Sequence, residues 1–108
     1  MNTRWYDPGK GMEDHEDIPA SQTDVVLGAT GDQGDYIDHF DVQVTTAATS
    51  ACSYKDGKNS AAIPIMPNNT PVGIYQIHVR RRARASNPGG WYVTTGAGVS
   101  VSASGVFT

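Results

Sequence analysis

The sequence predicts an all-β fold: an antiparallel β-sandwich, jelly-roll-like, with seven or eight short strands and an extended N-terminal arm. Three observations predict it. First, residues 72 to 108 alternate apolar and polar side chains with a period of two. Tyr75, Ile77 and Val79 share one face and Gln76, His78 and Arg80 the other, while Val99, Val101 and Ala103 alternate with Ser100, Ser102 and Ser104. Strands half-buried on a core carry this pattern. Second, Leu27 is the only leucine, valine and threonine are frequent, and twelve residues are glycine; such a chain is poor in helix formers and rich in β-branched residues. Third, turn residues punctuate the chain every 8 to 12 residues or so, the spacing of sandwiches and small barrels. A small closed barrel is the second architecture this pattern allows.

At 108 residues the chain is one domain with a modest core. Residues 1 to 17 read as an acidic arm and residues 18 to 108 as the folded domain. Within the arm, Asp7-Pro8-Gly9-Lys10-Gly11 is turn chemistry and Glu13-Asp14-His15-Glu16-Asp17 is a charged run with nothing to bury. Trp5 and Tyr6 are its apolar anchors, and such an arm orders by lying on a neighbouring subunit. The first strand runs from Thr23 to Leu27 and ends in the glycine-punctuated turn Gly28 to Gly34. The second runs from Tyr36 to Thr45, with Tyr36, Phe40, Val42 and Val44 on one face and Asp38 the exception. Thr49 to Lys55 and Ala61 to Met66 flank Asp56-Gly57-Lys58-Asn59, and Asp-Gly between strand-like runs signals a hairpin. Pro64 has no N–H to give, so its strand lies on an edge or carries a bulge. Gly73 to Arg82 is the longest strand. Arg84 to Gly90 reads as a mobile hairpin loop, with Trp91 to Thr95 pairing back against Gly73 to Arg82. Gly96-Ala97-Gly98 turns into Val99 to Ala103, and Val106-Phe107 closes the chain.

Net charge is −3, but its distribution is uneven. Residues 1 to 41 hold eight Asp, two Glu, one Arg and one Lys, a charge of −8; residues 42 to 108 hold four Arg, two Lys and one Asp, a charge of +5. This split suits an acidic segment laid across a basic surface, its own or a neighbour's. Arg80-Arg81-Arg82-Ala83-Arg84 is the sharpest feature. It suits carboxylates of an acidic protein partner or of the arm, held as bidentate pairs. It also suits a solvated tip or, less well, phosphate, with Trp91 and Tyr92 near its base for stacking. Nucleic acid is disfavoured because no further basic patch joins the run.

Other clusters point to ordinary structure. Asp35, His39 and Asp41 share a polar strand face with Asp38 opposite; the stretch lacks calcium-loop spacing, and a solvated face is preferred to a metal site or a carboxylate pair. His78 is an exposed strand residue. Cys52 is the only cysteine, so no internal disulfide forms, and it reads as a small residue within a strand. No Gly-x-Ser-x-Gly elbow, phosphate loop or zinc spacing is present. The expectation is a non-enzymatic protein with no catalytic residue, no metal and no cofactor. Met1-Asn-Thr-Arg-Trp-Tyr-Asp-Pro8 carries no apolar signal core and no run approaches the roughly 20 residues that span a bilayer. The expected place of synthesis is a cytoplasm, with no membrane partner.

Ile18-Pro-Ala-Ser-Gln-Thr-Asp-Val-Val-Leu-Gly28, Gly31-Asp-Gln-Gly-Asp-Tyr-Ile37, Tyr54-Lys-Asp-Gly57, Gly73-Ile-Tyr75, Gly90-Trp-Tyr-Val-Thr-Thr-Gly-Ala-Gly-Val-Ser-Val101 and Gly105-Val-Phe-Thr108 resemble small virion proteins of tailed bacteriophages. The resemblance covers residues 18 to 108 and rests on strand and turn residues, not on a reaction. It implies a capsid decoration (cement) protein on the virion surface that clamps neighbouring major capsid subunits, often as a homotrimer. The expected protein interface is Trp5, Tyr6, Asp14, Glu16 and Asp17 with Arg80, Arg81, Arg82 and Arg84. The alternative is a receptor- or carbohydrate-binding module of a fibre or tail, with Tyr75, Trp91 and Tyr92 as the aromatics that would lie under a sugar.

Overall fold

The computed structural model describes residues 14–86 and 88–108. Eight strands follow one another: β1 (Asp14–Ile18), β2 (Val25–Val26), β3 (Tyr36–Val44), β4 (Cys52–Asp56), β5 (Ile63–Met66), β6 (Gly73–Arg82), β7 (Trp91–Thr95) and β8 (Val99–Val106). They form two antiparallel four-stranded sheets, the first in the order β1-β8-β3-β6 and the second in the order β2-β7-β4-β5. A three-residue 3-10 turn, Ala47–Thr49, is the only helical segment among the described residues. No helix there is long and apolar enough to cross a membrane.

Both sheets feed one core. Phe40, Val42, Val101 and Ala103 come from the first, Tyr54, Trp91 and Val93 from the second. The Tyr54 ring meets Phe40 at 5.3 Å, edge on, and Trp91 at 5.5 Å. These offset aromatic contacts carry the largest buried side chains of the molecule across the interface between sheets. β6 contributes its half-buried face, Tyr75, Ile77 and Val79, as its alternation predicts.

Several elements differ from the sequence reading, each for a physical reason. β1 begins at Asp14, so residues 14 to 17 belong to the sheet and not to an arm. Asp14 pairs with Gly105 and Ile18 with Val101. The arm reading of residues 1 to 13, including Trp5 and Tyr6, lies outside the described residues. β7 does not pair back against β6. The chain leaves β6 at an edge of the first sheet and enters β7 inside the second, where Trp91 pairs with Asp56 and Val93 with both Tyr54 and Val25. The Arg84 to Gly90 segment is therefore a crossing between sheets. In β3 the register slips between Ile37 and His39. This bulge at Asp38 turns Ile37, not Tyr36, into the core beside Phe40.

The hairpin at Asp56-Gly57 forms as expected, β4 pairing with β5. Gly57 has φ +82°, and a Cβ there would lie 2.6 Å from the Ala85 Cβ, so the position admits glycine alone. β5 is an edge strand and its pairing slips between Cys52 and Ser53. Pro64 thus occupies the kind of strand that tolerates a missing donor.

Cys52 is 4% exposed, and burial pushes its thiol up to about 11 from 9.0. A thiol is neutral when protonated, so the folded state favours that form. Its contribution to stability is present below pH 9 and is lost as pH rises through about 11. Alkaline unfolding of wild type should thus exceed that of Cys52→Ala over this window. A thiol-reactive dye at pH 8 should label Cys52 only after denaturant is added; rapid labelling of the native protein would contradict its burial.

Candidate functional site

β6 supplies the site. Eight residues of alternating pattern bring it to Arg80, where the backbone takes φ +54°, a left-handed conformation that non-glycine residues adopt only at a cost of about 1 kcal/mol. Here the pairing with β3 also breaks, moving from His39 opposite His78 to Ile37 opposite Arg81. The kink and the bulge at Asp38 face each other, and Arg80 Nε lies 3.8 Å from Asp38 Oδ1. Arg82 donates to the Gly34 carbonyl at 3.2 Å and its guanidinium lies 5.4 Å from the centre of the Tyr36 ring.

Arg80, Arg81, Arg82 and Arg84 together line a cavity of about 560 Å³ with Asp56 and Trp91 on its wall. Asp56 is the single carboxylate among these residues. Its Oδ1 accepts the Arg84 and Ala85 amides at 2.9 and 3.0 Å, and its Oδ2 lies 3.0 Å from the Arg84 amide. Asp56 therefore pins the crossing segment after β6. Four arginines and one carboxylate line the cavity, with Asp38 beside Arg80, an excess of positive charge that favours anionic groups.

The acidic residues expected at the interface lie at the opposite edge of the same sheet. Asp14 Oδ2 accepts the Phe107 amide at 2.9 Å, Glu16 Oε1 accepts the Gly28 amide at 2.8 Å, and Asp17 Oδ1 accepts the Ser102 hydroxyl at 2.6 Å. The Ser102 hydrogen bond, followed by the charge and hydrogen bond of His15, holds the Asp17 carboxyl below its ordinary range. β8 and β3 separate β1 from β6. Three inter-strand steps make this roughly 14 Å. Asp14, Glu16 and Asp17 thus do not neutralise the arginines within the chain.

The sheet register also assembles a row that sequence reasoning missed. His39 stands between His78 and Ser104, and Ser104 pairs with His15, so all three histidines lie across one face. No sequence signal marks it, because it depends on which strands are neighbours. His39 bonds Asp38 at 2.8 Å and approaches Asp41 at 3.6 Å. The His39 hydrogen bond, then its charge and that of Arg80, hold Asp38 below the usual carboxylate range. Asp38 therefore sits on the His39 side, not opposite it, because of the bulge. Asp35, expected beside His39 and Asp41, is buried elsewhere. Among the described residues no group of three or more His, Cys, Asp or Glu is placed to hold a metal ion.

The aromatics considered for stacking are not presented. Trp91 is 1% and Tyr92 8% exposed, and the half-buried Tyr75 gives its hydroxyl to the Pro71 carbonyl at 2.7 Å. Trp91 and Tyr92 therefore offer no open ring face to a sugar or a base. Strand alternation requires at least one of the two rings to be core; both are covered.

No known protein family, no curated protein and no solved structure matches this chain.

Proposed function

We propose that the chain is a structural assembly protein of a phage particle, a decoration or cement protein. In this reading it is a jelly-roll-like β-sandwich on the capsid surface that binds and stabilises neighbouring major capsid subunits, without catalysis. The observation that carries this reading is the separation of charge across one sheet. β1 is acidic, β6 is arginine-rich, and they form its two edges. Charges that do not meet inside the molecule are available to neighbours on both sides, as a protein wedged between lattice subunits requires. The exposed Val72 and Ile74, 67% and 78% accessible, extend the basic edge with apolar surface that a partner would cover. The split sequence charge and the resemblance of residues 18 to 108 to small virion proteins support the same reading.

The alternative, a receptor- or carbohydrate-binding module, loses the rings that would have carried it, since Trp91 and Tyr92 are buried. The test is cryo-EM localisation in the native particle with copy number. Copies repeating over the whole shell, with the arginine edge against the major capsid protein, are expected. A few copies confined to a vertex or tail would favour the receptor-binding role, and absence from particles would overturn the assembly role. A variant lacking residues 1 to 13 separates the arm from the edges, because it retains β1. Undiminished binding to capsids by that variant would remove Trp5 and Tyr6 from the interface.

A further inference from the structure

We infer that one partner of the arginine edge is a second copy of this chain, with β6 of one copy pairing head to tail with β1 of the next. This deepens the assembly reading by naming a partner, and it rests on sheet geometry.

Strand direction permits the pairing. Every neighbour in the order β1-β8-β3-β6 is antiparallel, so β1 and β6 run in opposite directions. A copy displaced sideways along the sheet therefore brings its β1 antiparallel to β6, and the sheet continues in the same sense, with a register shift at the Arg80 kink like the one β3 already makes there. Register also permits it. Ile37 pairs with Arg81 on one side and Gly105 on the other, and Gly105 pairs with Asp14, so Arg81 and Asp14 occupy one row. An unshifted neighbour sets its Asp14 opposite Arg81. A slip of two residues, which preserves the faces, sets its Glu16 there.

Charge selects this pairing over the others. A full-length twofold pairing of two β6 edges sets Arg80 to Arg82 against Gly73 to Tyr75, with no carboxylate to meet them, and a twofold pairing of two β1 edges sets Glu16 against Glu16. Arginine on an edge strand resists pairing with its like. The same arginines attract an acidic strand, and β1 carries Asp14, Glu16 and Asp17 with no lysine or arginine. The cavity lined by Arg80, Arg81, Arg82 and Arg84 gives the arriving carboxylates a partly enclosed place to pair. A head-to-tail contact leaves one edge of each sort open, so copies close into a ring or continue as a chain.

The test is the mass of the full chain by sedimentation, first in low salt and then in high salt. Oligomers that dissociate as salt rises are expected. Two variants follow. Arg81→Glu with Arg82→Glu cancels the positive charge of the arginine edge. His15→Lys with Asp17→Lys takes the acidic charge off β1 at exposed side chains, while sparing Asp14 and Glu16, which hold the Phe107 and Gly28 amides. Each variant alone should dissociate at least about tenfold more readily than wild type. Their equimolar mixture should form one-to-one pairs, because the unaltered β6 of the second variant meets the unaltered β1 of the first. Circular dichroism checks that both are folded, and the wild-type salt series stands without any variant.

A monomer at high concentration in low salt would overturn the inference. So would oligomers indifferent to both variants and to salt, or a mixture that stays dissociated. Retention of nucleic acid by the monomer would reassign the arginine edge. The outcome is separable from the proposed function. A monomer found across the shell of the particle removes this contact alone, and an oligomer absent from particles removes only the virion role.

Discussion

Replacing Trp91 with alanine is expected to cost about 3–5 kcal/mol and to lower the melting temperature by about 15 °C or more. The indole is 1% exposed and packs against Tyr54, which in turn meets Phe40 of the other sheet. Its removal empties the largest fully buried side chain at the point where the two sheets join. It also deletes a hydrogen bond from Nε1 to the Asp35 carbonyl, 2.8 Å long. That carbonyl still accepts the Ala83 amide at 2.7 Å, so it is not orphaned, and the cavity dominates the loss. Trp91→Phe should recover much of the stability. Urea denaturation followed by far-UV circular dichroism measures both, and a loss under 1 kcal/mol for alanine would mean that the sheets do not share this core.

Asp35→Ala should be the next most damaging change, at about 2–3 kcal/mol. The residue is 5% exposed and its carboxylate is a junction. Oδ2 accepts the Asp32 amide at 3.0 Å and the Thr108 amide at 3.1 Å, and Oδ1 accepts the Thr108 hydroxyl at 2.7 Å. Thr108 in turn offers its carbonyl to the amides of Thr30 and Gly31. Without the carboxylate, the turn before β3 and the end of the chain lose their common anchor. Hydrogen exchange should show the Gly31 and Thr108 amides losing protection while the centre of β3 keeps its own. Unchanged protection at Thr108 would refute the junction. A carboxylate that the sequence assigns to a solvated strand face is thus a buried structural clasp.

The parts of the fold that the sequence made legible are those where one face meets the core. β6 was bounded correctly at Gly73 and Arg82 because Tyr75, Ile77 and Val79 alternate without interruption. The β4–β5 hairpin was marked by Asp56-Gly57, whose glycine is required by its φ. β1 was illegible because four of its five residues are polar or charged. What holds it is the main chain of β8 and hydrogen bonds to Ser102, Gly28 and Phe107, which no period reveals. The β6–β7 connection was misread because a short glycine-containing link resembles a hairpin whether or not it changes sheet. The bulge at Asp38 inverted the faces at the start of β3, which moved Asp38 to the His39 side. Of the site, the arginine run was visible in the sequence. Its opposition to β1 was not, since only strand order places the two at opposite edges.

The pairing of β1 with β8 joins Asp14 to Gly105, nearly the whole described chain apart. Contacts of such long sequence separation are slow to form, because the intervening chain must be ordered first. On a ribosome, β1 emerges before β8 and waits while the six strands between them are made. The acidic edge therefore comes into being only once β8 has followed it out. A nascent chain that has not reached β8 has no completed acidic edge to offer a neighbour.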